Sequence, residues 1–161
     1  MKQEDEIIEL LKERNYIFSS AESCTGGLLM STLINVAGAS SVINEGFITY
    51  ANSAKMKYLN VKAETLEKYG AVSEETAYEM AYGLIEQTGA QVTVSITGIA
   101  GPDGGTKEKP VGTVYIGCSV CGKVYIERLQ LHGDRLSIRM QTVNNTLAFI
   151  KKCLLKSEKS S

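Results

Sequence analysis

Ser23 stands in the tract Ala21-Glu22-Ser23-Cys24-Thr25-Gly26-Gly27, between an apolar strand-like run and an amphipathic helix pattern. A hydroxyl at such a junction suits nucleophilic attack. The first turn of a helix leaves its N–H groups unpaired and carries partial positive charge, so a nucleophile and an anion or oxyanion site can share a few ångströms. Two further polar tracts, Thr49-Tyr50-Ala51-Asn52-Ser53-Ala54-Lys55 and Thr97-Gly98-Ile99-Ala100-Gly101-Pro102-Asp103-Gly104-Gly105, also follow apolar runs. The pattern predicts a site assembled from strand ends.

A serine nucleophile needs a base to take its proton. The chain holds one histidine, His132, in Leu131-His132-Gly133-Asp134, a strand–helix junction. Lys55, one helical turn beyond Tyr50, is the nearer candidate. An ammonium cannot accept a proton, so such a lysine must be desolvated or lie beside another cation. A Ser-Lys-Tyr cluster would serve, with the phenol sharing or relaying the proton. Residue types alone leave the base open, since Lys55 also reads as a solvated helix charge and Tyr50 as a core aromatic. Cys24, at the same helix start, is expected to have a lowered thiol pKa.

Other chemistries find little support. Gly104-Gly105-Thr106-Lys107 holds the residues of a Walker A loop in another order, and no GxGxxG run occurs, which disfavours nucleoside triphosphate hydrolysis. The single CxxC pair, Cys118-Ser119-Val120-Cys121, ends a strand pattern at Gly122 and lacks a second pair. With clustered carboxylates and further histidines missing, no metal is expected.

These residues require elements to hold them. The spacing predicts a helix over 4–14, a strand over 16–20, and a largely buried helix from 25 to about 36. A strand kinked at Gly46 follows over 42–50, then short helices over 54–59 and 63–69. Ser73 caps a helix to about Gln87, residues 91–97 form a strand, and 111–120 with 123–131 form a hairpin. Asp134 caps a last helix to about Leu155. Helix-separated strands imply parallel crossovers and the hairpin adds an antiparallel pair. The expected fold is α/β: a three-layer α/β/α sandwich around one mixed, mainly parallel five-stranded sheet, in a single domain over 1–161 with a frayed tail at 155–161.

Bulk properties fit that frame. At 161 residues, 43% hydrophobic and 22% charged, the chain suits one soluble domain. A net charge of −1 argues against nucleic-acid binding through a basic face. No apolar run nears the ~20 residues that span a bilayer, and the acidic start Met1–Glu6 is no secretory signal. No membrane association and a cytoplasmic location are expected. Tyr115 and Tyr125 on the hairpin are compatible with a homo-oligomer.

Taken together, the three tracts resemble the C-terminal domain family of CinA, the competence/damage-inducible protein. Gly46-Phe47-Ile48-Thr49-Tyr50-Ala51-Asn52, Gly70-Ala71-Val72-Ser73, Lys109-Pro110-Val111-Gly112-Thr113-Val114 and Gly133-Asp134-Arg135 extend the likeness over about residues 5–155. Stand-alone members are nicotinamide-nucleotide amidases. The resemblance implies deamidation of nicotinamide mononucleotide to nicotinate mononucleotide and ammonia, with no cofactor and a small nucleotide as partner. It places the catalytic serine, tyrosine and lysine on Ser23, Tyr50 and Lys55. Candidate substrate contacts are Thr25, Gly26, Gly27, Thr97, Gly98, Gly101, Gly105 and Arg135. Longer CinA proteins carry an N-terminal domain with phosphoanhydride chemistry, which is not carried over. Two other classes remain: a non-catalytic nucleotide-binding or regulatory module, and a serine amidase for another small amide.

Overall fold

The computed structural model describes residues 1–159. Helix α1 (Gln3–Arg14) buries Ile7, Ile8 and Leu11 and stops at Asn15, which takes the left-handed conformation at φ 56°. Tyr16 closes this turn through its N–H to Leu11, and the Ile17 N–H goes to the Gln91 side chain at 2.8 Å. Both therefore stay outside the sheet, and strand β1 runs Phe18–Glu22, two residues later than its composition suggested. That shift carries Glu22 into the strand and leaves Ser23 at its very end.

After β1, Gly26 and Gly27 adopt φ of 56° and 103°. These left-handed values break a helix started at Thr25, so α2 is confined to Leu28–Ile34. Only Leu29 and Leu33 of α2 are buried and Ile34 is exposed, against the largely buried helix expected. Strand β2 is likewise short, Phe47–Ile48. Val42 instead ends a 3-10 turn, and Ile43 makes a single bridge to Phe18.

Helices α3 (Asn52–Leu59), α4 (Ala63–Tyr69) and α5 (Glu74–Thr88) lead to β3 (Val92–Gly98). The Ser73 hydroxyl accepts from the Thr76 N–H at 3.1 Å, the cap its position predicts. Strands β4 (Thr113–Val120) and β5 (Lys123–Gln130) form the hairpin, and α6 (Arg135–Lys159) closes the fold. The hairpin turn splits the CxxC pair, leaving Cys118 buried and Cys121 exposed. The expected frayed tail is helical through Lys159, and residues 160–161 lie outside the described residues. Docking of the final turns explains the extension: Cys153 and Leu154 are buried, and the Lys156 ammonium sits over the Tyr125 ring.

The sheet order is β2-β1-β3-β4-β5. β1 pairs in parallel with β2 and β3, whereas β4 opposes β3 and β5 opposes β4. Four strands thus point one way and β4 alone runs against them. One face carries Val92, Val94 and Ile96 into a core shared with α1, α2 and α6. The opposite face packs on α5, with α3 and α4 outside it. There Thr93, Ser95 and Thr97 donate hydroxyls to the Ala81, Ala77 and Ala71 carbonyls, so a polar strand face is buried with its bonds made. Because β2 and β3 flank β1, the chain leaves β1 and β2 toward opposite sides. Such a switch point opens a crevice at the carboxyl ends of the strands.

Candidate active site

Three chain segments leave the sheet at that edge: from Ser23 after β1, from Thr49 after β2, and from Ile99 after β3. The Ser23 N–H donates to Ile96 (3.0 Å) and the Thr49 N–H to Glu22 (3.0 Å), so both are tied to the last rungs of the ladder. Lys55 occupies the first turn of α3, its N–H bonded to Ala51. Its side chain folds back onto the strand ends and is 1% exposed. The Nζ lies 3.0 Å from Ser23 Oγ, 2.8 Å from the Thr49 carbonyl and 3.1 Å from the Tyr50 carbonyl.

This arrangement has a definite chemical content. Burial lowers the Lys55 pKa, because removing water penalises the ammonium. No carboxylate pairs with it among the described residues. Nζ donates to the Ser23 hydroxyl and to both carbonyls, and the lowered pKa brings the deprotonated amine, whose lone pair could face that hydroxyl, nearer to neutral pH.

Cys24, next in the chain, lines the same cavity but is buried, and burial pushes its thiol up to about 11. The lowered pKa expected at a helix start does not arise, and the residue is an inert thiol. Beyond Thr25, the N–H groups expected to be free at that helix are also occupied. Glu22, 1% exposed, accepts from Gly27 (3.2 Å), Leu29 (3.0 Å) and Met30 (3.1 Å). It also takes the Thr25 hydroxyl at 2.6 Å. The positive end of α2 is therefore spent on Glu22.

The remaining candidates divide cleanly. Thr97, Gly98, Gly101 and Arg135 line the cavity of about 280 Å³ that holds Ser23 and Lys55. Thr25 is fully buried, the Gly26 N–H closes a turn onto Ser23, and the Gly27 N–H is committed to Glu22. None of these three lines the cavity, and the Thr25 hydroxyl and the N–H groups of Gly26 and Gly27 hold the turn itself. Gly105 also lies off the cavity, packed against the Val111 backbone. Tyr50 enters the cluster through its carbonyl, while the residue is 60% exposed and its phenol accepts from Arg135 Nη2 at 3.0 Å. The phenol therefore does not stand between Ser23 and Lys55. His132 is exposed outside the cavity, which leaves Lys55 as the base candidate. Among the described residues no group of three or more His, Cys, Asp or Glu side chains could hold a metal ion.

Several contributors were not anticipated. Glu22 is one; a carboxylate ending an apolar strand beside the candidate serine was the available signal. Arg139 is another: its Nε donates to the Cys24 carbonyl (2.8 Å) and its Nη2 to the Thr25 carbonyl (3.2 Å). Its place one turn after Arg135 on the same helix face could have drawn notice. Asn52 and Asp103 also border the cavity.

The family model of the CinA C-terminal domain matches residues 1–154. The chain belongs to the CinA C-terminal domain family. It is 53% identical over 152 residues to a CinA-like protein of Kosmotoga olearia, covering 94% of this chain and 37% of that protein. A Clostridium novyi protein named as competence-damage inducible is 51% identical over 153 residues, again with 37% of its length covered. The chain thus spans little more than a third of these relatives. Among solved structures, a CinA-superfamily protein from Klebsiella pneumoniae superposes with a TM-score of 0.92 at 32% identity, covering 96% of both chains. Competence/damage inducible protein CihA from Agrobacterium tumefaciens gives 0.89 at 39% identity, covering 94% of this chain and 96% of its own. The α/β fold is that of the CinA superfamily. No described helix of this member is long and apolar enough to cross a membrane.

Proposed function

We propose that this CinA-family domain is a nicotinamide-nucleotide amidase, converting nicotinamide mononucleotide to nicotinate mononucleotide and ammonia through an acyl-enzyme. The observation that carries the reading is the 3.0 Å contact between Ser23 Oγ and a buried Lys55 amine with only neutral oxygen partners. Ser23 Oγ attacks the carboxamide carbon as Lys55 takes the hydroxyl proton. The N–H groups of Ala100 and Gly101, which donate to nothing else among the described residues, are available at the cavity wall for the oxyanion. Each such donor is worth about 3–4 kcal/mol in hydrolases. Lys55 returns the proton to the departing nitrogen, ammonia leaves, and the amine then activates water to hydrolyse the ester.

The cavity is near the low end of ~300–1,000 Å³ for ligand pockets, a size for small molecules. Arg135 places a cation at its mouth, bonded to the Gly101 carbonyl (2.6 Å) and the Tyr50 phenol. It is the candidate partner for the substrate phosphate, with Tyr50 beside it as part of the entrance and Thr97 deeper inside.

The test is ammonia release from nicotinamide mononucleotide within a panel of small amides. Ser23→Ala is expected to reduce release to background with the circular dichroism spectrum unchanged; a wild-type rate in that variant removes the nucleophile. Turnover of another amide alone would keep the chemistry and replace the substrate. Saturable nucleotide binding without turnover would make the domain a binding module.

A further inference from the structure

The turn that carries Ser23 is gripped from two sides by charged side chains. Glu22 gathers the N–H groups of Gly27, Leu29 and Met30, while Arg139 takes the carbonyls of Cys24 and Thr25. Arg139 projects from α6, a helix anchored in the core through Ile138, Val143, Leu147 and Ile150. The Cys24–Thr25 peptide is trans, so its carbonyl and N–H point in opposite directions. Holding the carbonyl on the guanidinium therefore aims the Thr25 N–H away from it, and that N–H donates to nothing among the described residues.

We propose that Arg139 is a positioning residue that locks the peptide planes after Ser23, fixing the serine hydroxyl and the Thr25 N–H for attack. The proposal rests on Ser23 being the nucleophile of the amidase reading. A guanidinium suits the task because its planar fork holds two carbonyls in one geometry, whereas a lysine is a point donor on a flexible stem. One turn earlier on the same helix, Arg135 holds Gly101 and Tyr50. The start of α6 thus ties all three strand-end tracts to a single rigid element.

Arg139→Gln and Arg139→Lys are to be compared with wild type in steady-state deamidation, in labelling of Ser23 by a fluorophosphonate, and in thermal melting. The glutamine variant is expected to lose about 10- to 100-fold in kcat, the scale of a small misplacement of reacting groups. KM stays within about twofold, because substrate binding is untouched. Labelling slows by a similar factor, since the same oxygen attacks phosphorus, and the lysine variant falls between. Where glutamine compromises folding, the lysine variant decides. Wild-type kcat and labelling in a folded variant, or a loss confined to KM, overturns the proposal. Wild-type protein that labels at Ser23 yet releases no ammonia would sink the amidase reading, leaving the labelling comparison to judge Arg139. Absence of labelling in wild type overturns both.

Discussion

At the scale of single residues, Lys55 sets the terms. Its folded pKa lies below the ordinary lysine value because the amine is buried, so it loses its proton at a lower pH in the folded chain than in the unfolded one. Between those two values the unfolded chain binds more protons, and stability rises with pH across that window. Lys55→Met removes this slope, which melts at a series of pH values would record. The same variant is expected to lose about 10²–10⁴-fold in deamidation, the usual contribution of a general base. The wild-type rate should climb with pH to a midpoint below that of a free lysine. A His132→Ala variant, by contrast, is expected to keep the wild-type rate, given its exposed position outside the cavity. Little of this was legible in residue types. In Asn52–Leu59 only Lys55 and Leu59 are buried, so the helix lacks the apolar stripe that would mark position 55 as inward. Its position one helical turn beyond Tyr50 nominated the lysine, and resemblance to a family, not periodicity, raised it above the alternatives. The direction of the Tyr50 phenol depends on Arg135, which lies 85 positions away, and no local pattern encodes it.

Elements were more readable, though their edges were not. Helices α1, α3, α4 and α5 fall within about two residues of the spans their apolar spacing and caps predict. The errors cluster where backbone conformation overrides composition: the glycine pair that delays α2, and the Val42–Tyr50 run, in which Val42 ends a 3-10 turn and only Phe47–Ile48 form a strand. A second glycine has a different part. Gly83 on α5 meets α3 so closely that a Cβ there would lie 1.9 Å from the Leu59 carbonyl oxygen. Gly83→Ala is therefore expected to destabilise by about 1–3 kcal/mol, the range for overpacking, as measured by denaturant melts. Since α3 also carries Lys55, displacing that helix should lower kcat beyond what the loss of folded protein explains.

Across the whole molecule, the sheet topology decides where chemistry can occur. Parallel β1, β2 and β3 deliver three chain segments to one edge, and β5 brings the start of α6 to the same side. That architecture was deducible from the order of elements; the strand order was deducible only as a class. Stability should be uneven over this frame. β2 pairs through two residues at the edge of the sheet, whereas β3 is paired along both sides. Native-state hydrogen exchange is expected to find the Thr49 N–H opening far more readily than that of Val94, a pattern of local against global unfolding. Thr49 and Tyr50 are also the carbonyl partners of Lys55, so the strand with the shortest pairing leads directly to the lysine. The Lys55 pKa is lowered by an absence of hydration and by no neighbouring cation. Loosening β2 or α3 enough to wet that nitrogen would favour the ammonium again without altering an atom of the Ser23–Lys55 pair. Seepage alone would weaken the site, and the ascending limb of its pH profile would move to higher pH as the packing around it relaxed.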